Sequence, residues 1–209
     1  MYVIAENYPF RKYYKLCRNT ILITMPTYKI DINRIIEADE VKDMMARLPN
    51  PRDRALLSFF YLTGARPCEA IDMRGQDVTI TDTYVAMRIR TAKKGKAKGF
   101  DPAKRTLEFP VDAPFIDEFV SYAKTKVGEQ LFWVFSPRRV RQIITKASKN
   151  SKESPPKLCP YSFRHSRMTK LCNEGASLTE LMYWKGSKEA KSVSSYIANK
   201  PIGRKLTIN

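Results

Sequence analysis

The 209-residue sequence predicts an α+β domain, mainly helical with one small antiparallel β-sheet, and three observations carry that expectation. Apolar residues recur at helical spacing through most of the chain after residue 36. One stretch, Thr83 to Arg90, switches to a period of two, with Val85, Met87 and Ile89 alternating with more polar neighbours as in a half-buried strand. Capping and stop residues then punctuate the helical segments at plausible lengths.

The elements follow in order. Residues 1–33 hold scattered aromatics (Tyr8, Phe10, Tyr13, Tyr14) with Pro9 and Pro26 and no sustained period, and read as an arm or linker ahead of a domain at 34–209. Glu37 to Glu40 give a helix an acidic first turn, which suits its dipole, ahead of Val41, Met44, Met45 and Leu48. Pro51 opens a second helix with an apolar stripe of Leu56, Leu57, Phe60 and Tyr61, and Gly64 closes it. Pro67 starts a short third helix. Thr106 to Val111 reads as the hairpin partner of the 83–90 strand, across a basic stretch containing Gly95 and Gly99. Further helices are expected over 113–126, 137–149, 160–174, 178–184 and 188–198. Ser136-Pro137 caps one of them, Ser177 with Glu180 makes a capping box on another, and Gly175 and Pro201 act as stops.

Charge narrows the partner. Thirty-eight Lys and Arg against 21 Asp and Glu leave a net +17, which points to a polyanion. Charge alone does not separate DNA from RNA or acidic lipid. The excess is clustered: Arg90–Arg105 has seven basic residues against one acidic, Arg138–Lys157 seven against one, and Lys185–Lys205 six against one. Any single lysine is an ordinary solvated charge, but three such runs favour a groove that follows phosphates. Lys94, Lys96 and Lys98, with Arg138, Arg139 and Arg141, are the candidate DNA contacts.

Other chemistries are excluded. Cys17, Cys68, Cys159 and Cys172 contain no CxxC pair, which argues against a zinc site or a disulfide framework and for reduced thiols. His165 is the single histidine, so no HExxH motif exists and no metal site is expected. The N-terminus lacks the apolar core of a signal peptide and no run is long enough to span a membrane, so a soluble cytoplasmic, DNA-associated protein is expected.

Cleaving a phosphodiester without metal needs a nucleophile, cations for the nonbridging oxygens and an acid for the leaving oxygen. Arginine suits the second task, lysine the third and tyrosine the first. Taken singly, Arg66 is an ordinary ion-pairing arginine, Tyr196 an ordinary half-buried aromatic, and Tyr161 and His165 ordinary polar core residues. Their order is not ordinary. Leu62-Thr-Gly-Ala-Arg-Pro-Cys-Glu, then Leu158-Cys-Pro-Tyr-Ser-Phe-Arg-His-Ser, then Leu181-Met-Tyr-Trp-Lys-Gly-Ser with Ser195-Tyr196-Ile197, resemble the three boxes of tyrosine recombinases over about residues 36 to 200.

The resemblance implies roles. Arg66 and Arg164 match the two arginines that clamp the scissile phosphate. Lys93 matches the hairpin lysine that protonates the leaving 5′ oxygen, with Lys94 and Lys96 as close competitors. Tyr196 matches the nucleophile of a 3′-phosphotyrosyl intermediate, Trp184 the His/Trp position of the last box, and Glu69 a supporting acid. Trp184 packs in the core under either reading, with its indole N–H as a secondary phosphate contact. Tyr161 stands where the family has His, and Tyr183 where it has Gly, so the usual helper for deprotonating Tyr196 is replaced by a phenol. The family implies double-stranded DNA as partner, no metal or ATP cofactor, monomers that form a homo-tetramer on paired sites, and a C-terminal segment (Ile197 to Asn209) exchanged between neighbours. It also implies an N-terminal DNA-clamping domain, of which residues 1–33 would be a remnant. A non-catalytic DNA-binding protein on the same fold and a type IB topoisomerase are the competing readings.

Overall fold

A computed structural model describes residues 34–91, 104–149 and 158–198. The expected arm at 1–33, the hairpin tip at 92–103 and the tail from 199 onward lie outside the described residues. Eight helices are described: α1 (Ala38–Ala46), α2 (Pro51–Thr63), α3 (Pro67–Ile71), α4 (Ile116–Ala123), α5 (Pro137–Lys149), α6 (Pro160–Asn173), α7 (Leu178–Lys185) and α8 (Lys191–Ala198). Strands β1 (Val78–Ile80), β2 (Tyr84–Arg90) and β3 (Lys104–Pro110) form one antiparallel sheet in the order β1-β2-β3. The mainly helical α+β architecture is therefore as the sequence predicts.

Helix α2 is the axis of the domain. Asn50 accepts the Arg52 backbone N–H at 2.9 Å, Pro51 fills the first turn, and Gly64 ends the helix in the left-handed region. Beyond the expected stripe, Phe59 and Leu62 are also buried, because α2 packs against α4 on one side and α6 on another. Its aromatic rings continue into a stack: Phe119 lies on Phe132 (centroids 5.2 Å apart, planes at 10°) and Tyr122 on Trp133 (5.4 Å, 11°).

Three local expectations are corrected. The sheet has a third strand, β1, registered Val78↔Met87 and Ile80↔Val85; three residues are too few to display a period. The helix expected over 113–126 is confined to α4, because Phe115 takes φ 64° and breaks its start. The last helix begins at Lys191 rather than 188.

Helices α6, α7 and α8 enclose a second, smaller apolar cluster of Met168, Cys172, Leu181, Val193 and Tyr196. Strand β3 is a sheet edge, and Tyr183 of α7 covers part of it. The Tyr183 hydroxyl accepts the Thr106 backbone N–H and donates to the Thr106 carbonyl, both at 3.0 Å.

Candidate active site

The site is assembled around a carboxylate. Glu69 sits in the first turn of α3 and is 1% exposed. Its Oε2 accepts the Arg66 backbone N–H at 2.9 Å and its Oε1 accepts Arg66 Nη1 at 2.7 Å. Arg105 arrives from β3 and binds the same carboxylate with both terminal nitrogens, at 2.9 and 3.3 Å. Arg164 arrives from α6, with Nη1 4.0 Å from Glu69 Oε2. Three guanidinium charges against one carboxylate leave a local surplus of two positive charges.

The electrostatics follow from burial and these pairs. Burial pushes the Glu69 carboxyl up, but the Arg105 charge and hydrogen bonds, then Arg164, outweigh it and hold the group at about 2. Burial, then the neighbouring Arg66, brings Arg164 down to about 10, so it stays charged at neutral pH. Of the two clamp candidates, Arg66 keeps a solvent-facing side, while Arg164 is buried and donates to the Gly64 carbonyl (2.9 Å) and the Lys185 carbonyl.

Two glycines make this approach possible. Gly64 (φ 59°) lets the end of α2 lie on α6, where a Cβ would come 3.0 Å from the Arg167 side chain and 3.2 Å from the Arg164 backbone. Gly186 (φ 61°) ends α7 beside Arg105; a Cβ there would stand 2.6 Å from its Nη1.

Trp184 joins these parts. Its indole N–H donates to the Thr63 carbonyl at 3.0 Å, its own carbonyl accepts Arg105 Nε at 3.0 Å, and Arg167 lies 4.8 Å from its ring. The core position expected of Trp184 is found, but its N–H serves the backbone, not a phosphate.

Tyr196 lies on α8, 5% exposed, with Oη 2.8 Å from His165 Nδ1. Cys172 Sγ donates to the Tyr196 carbonyl at 3.4 Å, fixing the helix against α6. The Lys185 ammonium stands 4.9 Å from the tyrosine ring centroid and donates to the Ser192 carbonyl. Burial raises the Tyr196 hydroxyl to about 12, against the opposing pull of Arg164. Burial, then Lys185 and Arg164, lowers His165 to about 4, so its ring is neutral near pH 7. Lys185 is brought down to about 8 by burial and by Arg164 and Arg66.

With this geometry in place, the comparisons are decisive. The model of the phage integrase family matches residues 34–201. The chain belongs to the phage integrase family. Tyrosine recombinase XerD of Haemophilus ducreyi is 23% identical over 199 residues, covering 88% of this chain and 64% of that recombinase. The chain thus spans less than two thirds of that relative's length. Among solved structures, the XerH recombinase bound to its difH substrate superposes with a TM-score of 0.62 at 16% identity, over 77% of this chain and 48% of that one. The catalytic domain of bacteriophage HP1 integrase gives 0.52 at 14% identity, over 80% of this chain and 88% of that domain. This integrase-family member therefore has the fold of the tyrosine recombinase catalytic domains.

Against that frame the sequence-predicted residues divide. Arg66, Glu69, Arg164 and Trp184 converge on one site, and His165 and Tyr196 meet beside it. Tyr161 is one turn before Arg164, half-buried, and among the described residues no hydrogen bond ties it to Arg164, His165 or Tyr196. Lys93, Lys94, Lys96 and Lys98 lie outside the described residues. Arg138, Arg139 and Arg141 are exposed on the first turn of α5, and Arg139 shares a groove of about 510 Å³ with Arg47, Arg52 and Lys146. Sequence reasoning missed Arg105 and Lys185 as members of the site. Both belong to recognised basic runs, but burial is what separates them, and their runs look like solvated charge. Arg90 is similarly held near the buried Asp77, 3.8 Å away. Among the described residues no group of three His, Cys, Asp or Glu side chains could hold a metal ion, and no helix is long and apolar enough to cross a membrane.

Proposed function

We propose that this protein is a site-specific DNA recombinase that cleaves and rejoins double-stranded DNA through a 3′-phosphotyrosyl bond to Tyr196, without metal or ATP. The observation that carries the reading is the surplus of guanidinium charge fixed around Glu69, one helix away from a tyrosine held by histidine. Arg66 and Arg164 hold the nonbridging oxygens of the scissile phosphate, where fixed donors stabilise the charge that develops in the transition state. Glu69 and Arg105 keep those arginines in place. Lys93 protonates the departing 5′ oxygen. The surface arginines of α5 and the hairpin lysines grip flanking phosphates. Four copies act on two paired sites, each copy a monomer when free, with residues after Tyr196 exchanged between neighbours. The relatives named as recombinases and the neighbour solved with its DNA substrate support this reading.

The test is covalent capture. The full chain is incubated, in EDTA, with a library of nicked duplexes of randomised sequence, in which cleavage beside the nick releases a short strand and traps the enzyme. A denaturant-stable protein–DNA adduct is expected from the wild type, and none from Tyr196→Phe, which should bind the library equally well. An adduct of undiminished yield from Tyr196→Phe, or none from the wild type with or without magnesium, overturns the proposal.

A further inference from the structure

We infer that His165 is the proton acceptor for Tyr196, in the position left open by the phenol at Tyr161; the inference rests on the recombinase reading above. The geometry is direct. Tyr196 Oη and His165 Nδ1 are 2.8 Å apart, with ring centroids 5.7 Å apart. Of the two neutral groups the phenol is the stronger acid, so its O–H donates to Nδ1 and the imidazole carries its own proton on Nε2. Tyr161 cannot perform this task, because a phenol does not accept a proton near neutrality. Lys185 is placed otherwise: its ammonium lies over the tyrosine ring and is bonded to the Ser192 carbonyl.

The groups that bear on His165 make it a conditional base. Arg164 of its own helix and Lys185 of α7 are cationic, Tyr196 of α8 is neutral, and burial adds to their effect, so the ring holds no proton in the resting protein. With the phenol near 12 and the imidazole near 4, the proton stays on oxygen until the phosphorus is attacked. Transfer then accompanies bond formation. The Tyr196 oxygen forms its bond to phosphorus, its proton passes to Nδ1 to give imidazolium, and the 5′ oxygen leaves with its bonding pair and takes a proton from the general acid. An arriving phosphodiester also offsets the cations of Arg66 and Arg164, which raises the imidazole's affinity for a proton when it is needed. Religation reverses each step: imidazolium returns the proton to the departing phenolate.

The experiment uses a trapping duplex recovered from the library and measures single-turnover adduct formation against pH for wild type and His165→Gln. Glutamine keeps a polar, helix-compatible side chain but cannot take the proton. A general base is worth roughly 10²–10⁴-fold in rate, so His165→Gln should be slowed by that order near pH 7 with unchanged DNA affinity. Its rate should climb about tenfold per pH unit as the phenol ionises unaided, where the wild type is nearly flat. Added imidazole should partly restore His165→Ala. A duplex with a bridging 5′-sulfur, whose leaving group needs no proton, should leave the His165→Gln defect in place. Wild-type rate and pH profile in His165→Gln, or restoration by the 5′-sulfur duplex, would overturn the assignment, the latter by making His165 the acid. Failure of the wild type itself to form an adduct is a different result, and removes the recombinase reading with it.

Discussion

The arginine knot and the tyrosine corner share helix α6, yet they are anchored differently. Arg164 and His165 are sequence neighbours; the first reaches toward the end of α2 and the second toward α8. The knot is bound to three elements by Glu69 and rests on a main core of thirty buried apolar residues, whereas Tyr196 belongs to a cluster of five. Local stability follows local burial, so the knot opens only with global unfolding while α8 can detach at lower cost. The difference is chemically sensible. Charge that stabilises a transition state gains from being fixed in advance, since no reorganisation is needed during reaction. A nucleophile at 5% exposure must instead be delivered to its phosphate.

The largest effect should come from breaking the knot. Glu69→Ala would leave Arg105, 3% exposed, without its carboxylate, and removing one partner of a buried ion pair costs about 3–5 kcal/mol. Urea unfolding of the variant measures this; a loss under 1 kcal/mol would mean the knot does not anchor the domain.

Next in size is the acid limb. The Glu69 carboxyl sits at about 2 in the folded chain against an ordinary 4.5, so its contribution is complete above about pH 4.5 and is lost as the pH falls through 2. The shift corresponds to about 3 kcal/mol. The stability gap between wild type and Glu69→Gln should therefore be widest near neutrality and shrink toward pH 2. A gap independent of pH would remove the carboxylate's charge from the argument.

How much of this was legible in the sequence depended on whether local spacing carried it. Arg66 with Glu69 is a helix-start pattern, Arg164 and His165 lie in one box, and Gly64 and Gly186 mark helix ends, so all could be placed in order. The partnership of Arg105 with Glu69 spans 36 residues and depends on the register Ile89↔Arg105, which no local period reveals. The His165–Tyr196 bond likewise depends on how α8 folds back onto α6. The φ of Phe115 and the three-residue strand β1 were hidden for a simpler reason: tertiary packing imposes them on segments too short to show a preference.

The smallest effect should sharpen the contrast. Val193, fully buried in the lesser cluster, loses two methyl groups in Val193→Ala, worth about 2 kcal/mol with the cavity included. That loss should appear as faster amide hydrogen exchange in α8 with little change in α2. Equal acceleration in both helices would show that the two regions open as one unit.

Tyr183 on strand β3 bears on solubility. An open strand edge is a template for another chain's strand, and sheet proteins must defend such edges. Here one phenolic oxygen occupies both the donor and the acceptor of Thr106, where a stray strand would begin to pair. The bulky ring that displaces the customary glycine thus acts as a guard against aggregation, and does so with a hydroxyl group instead of charge.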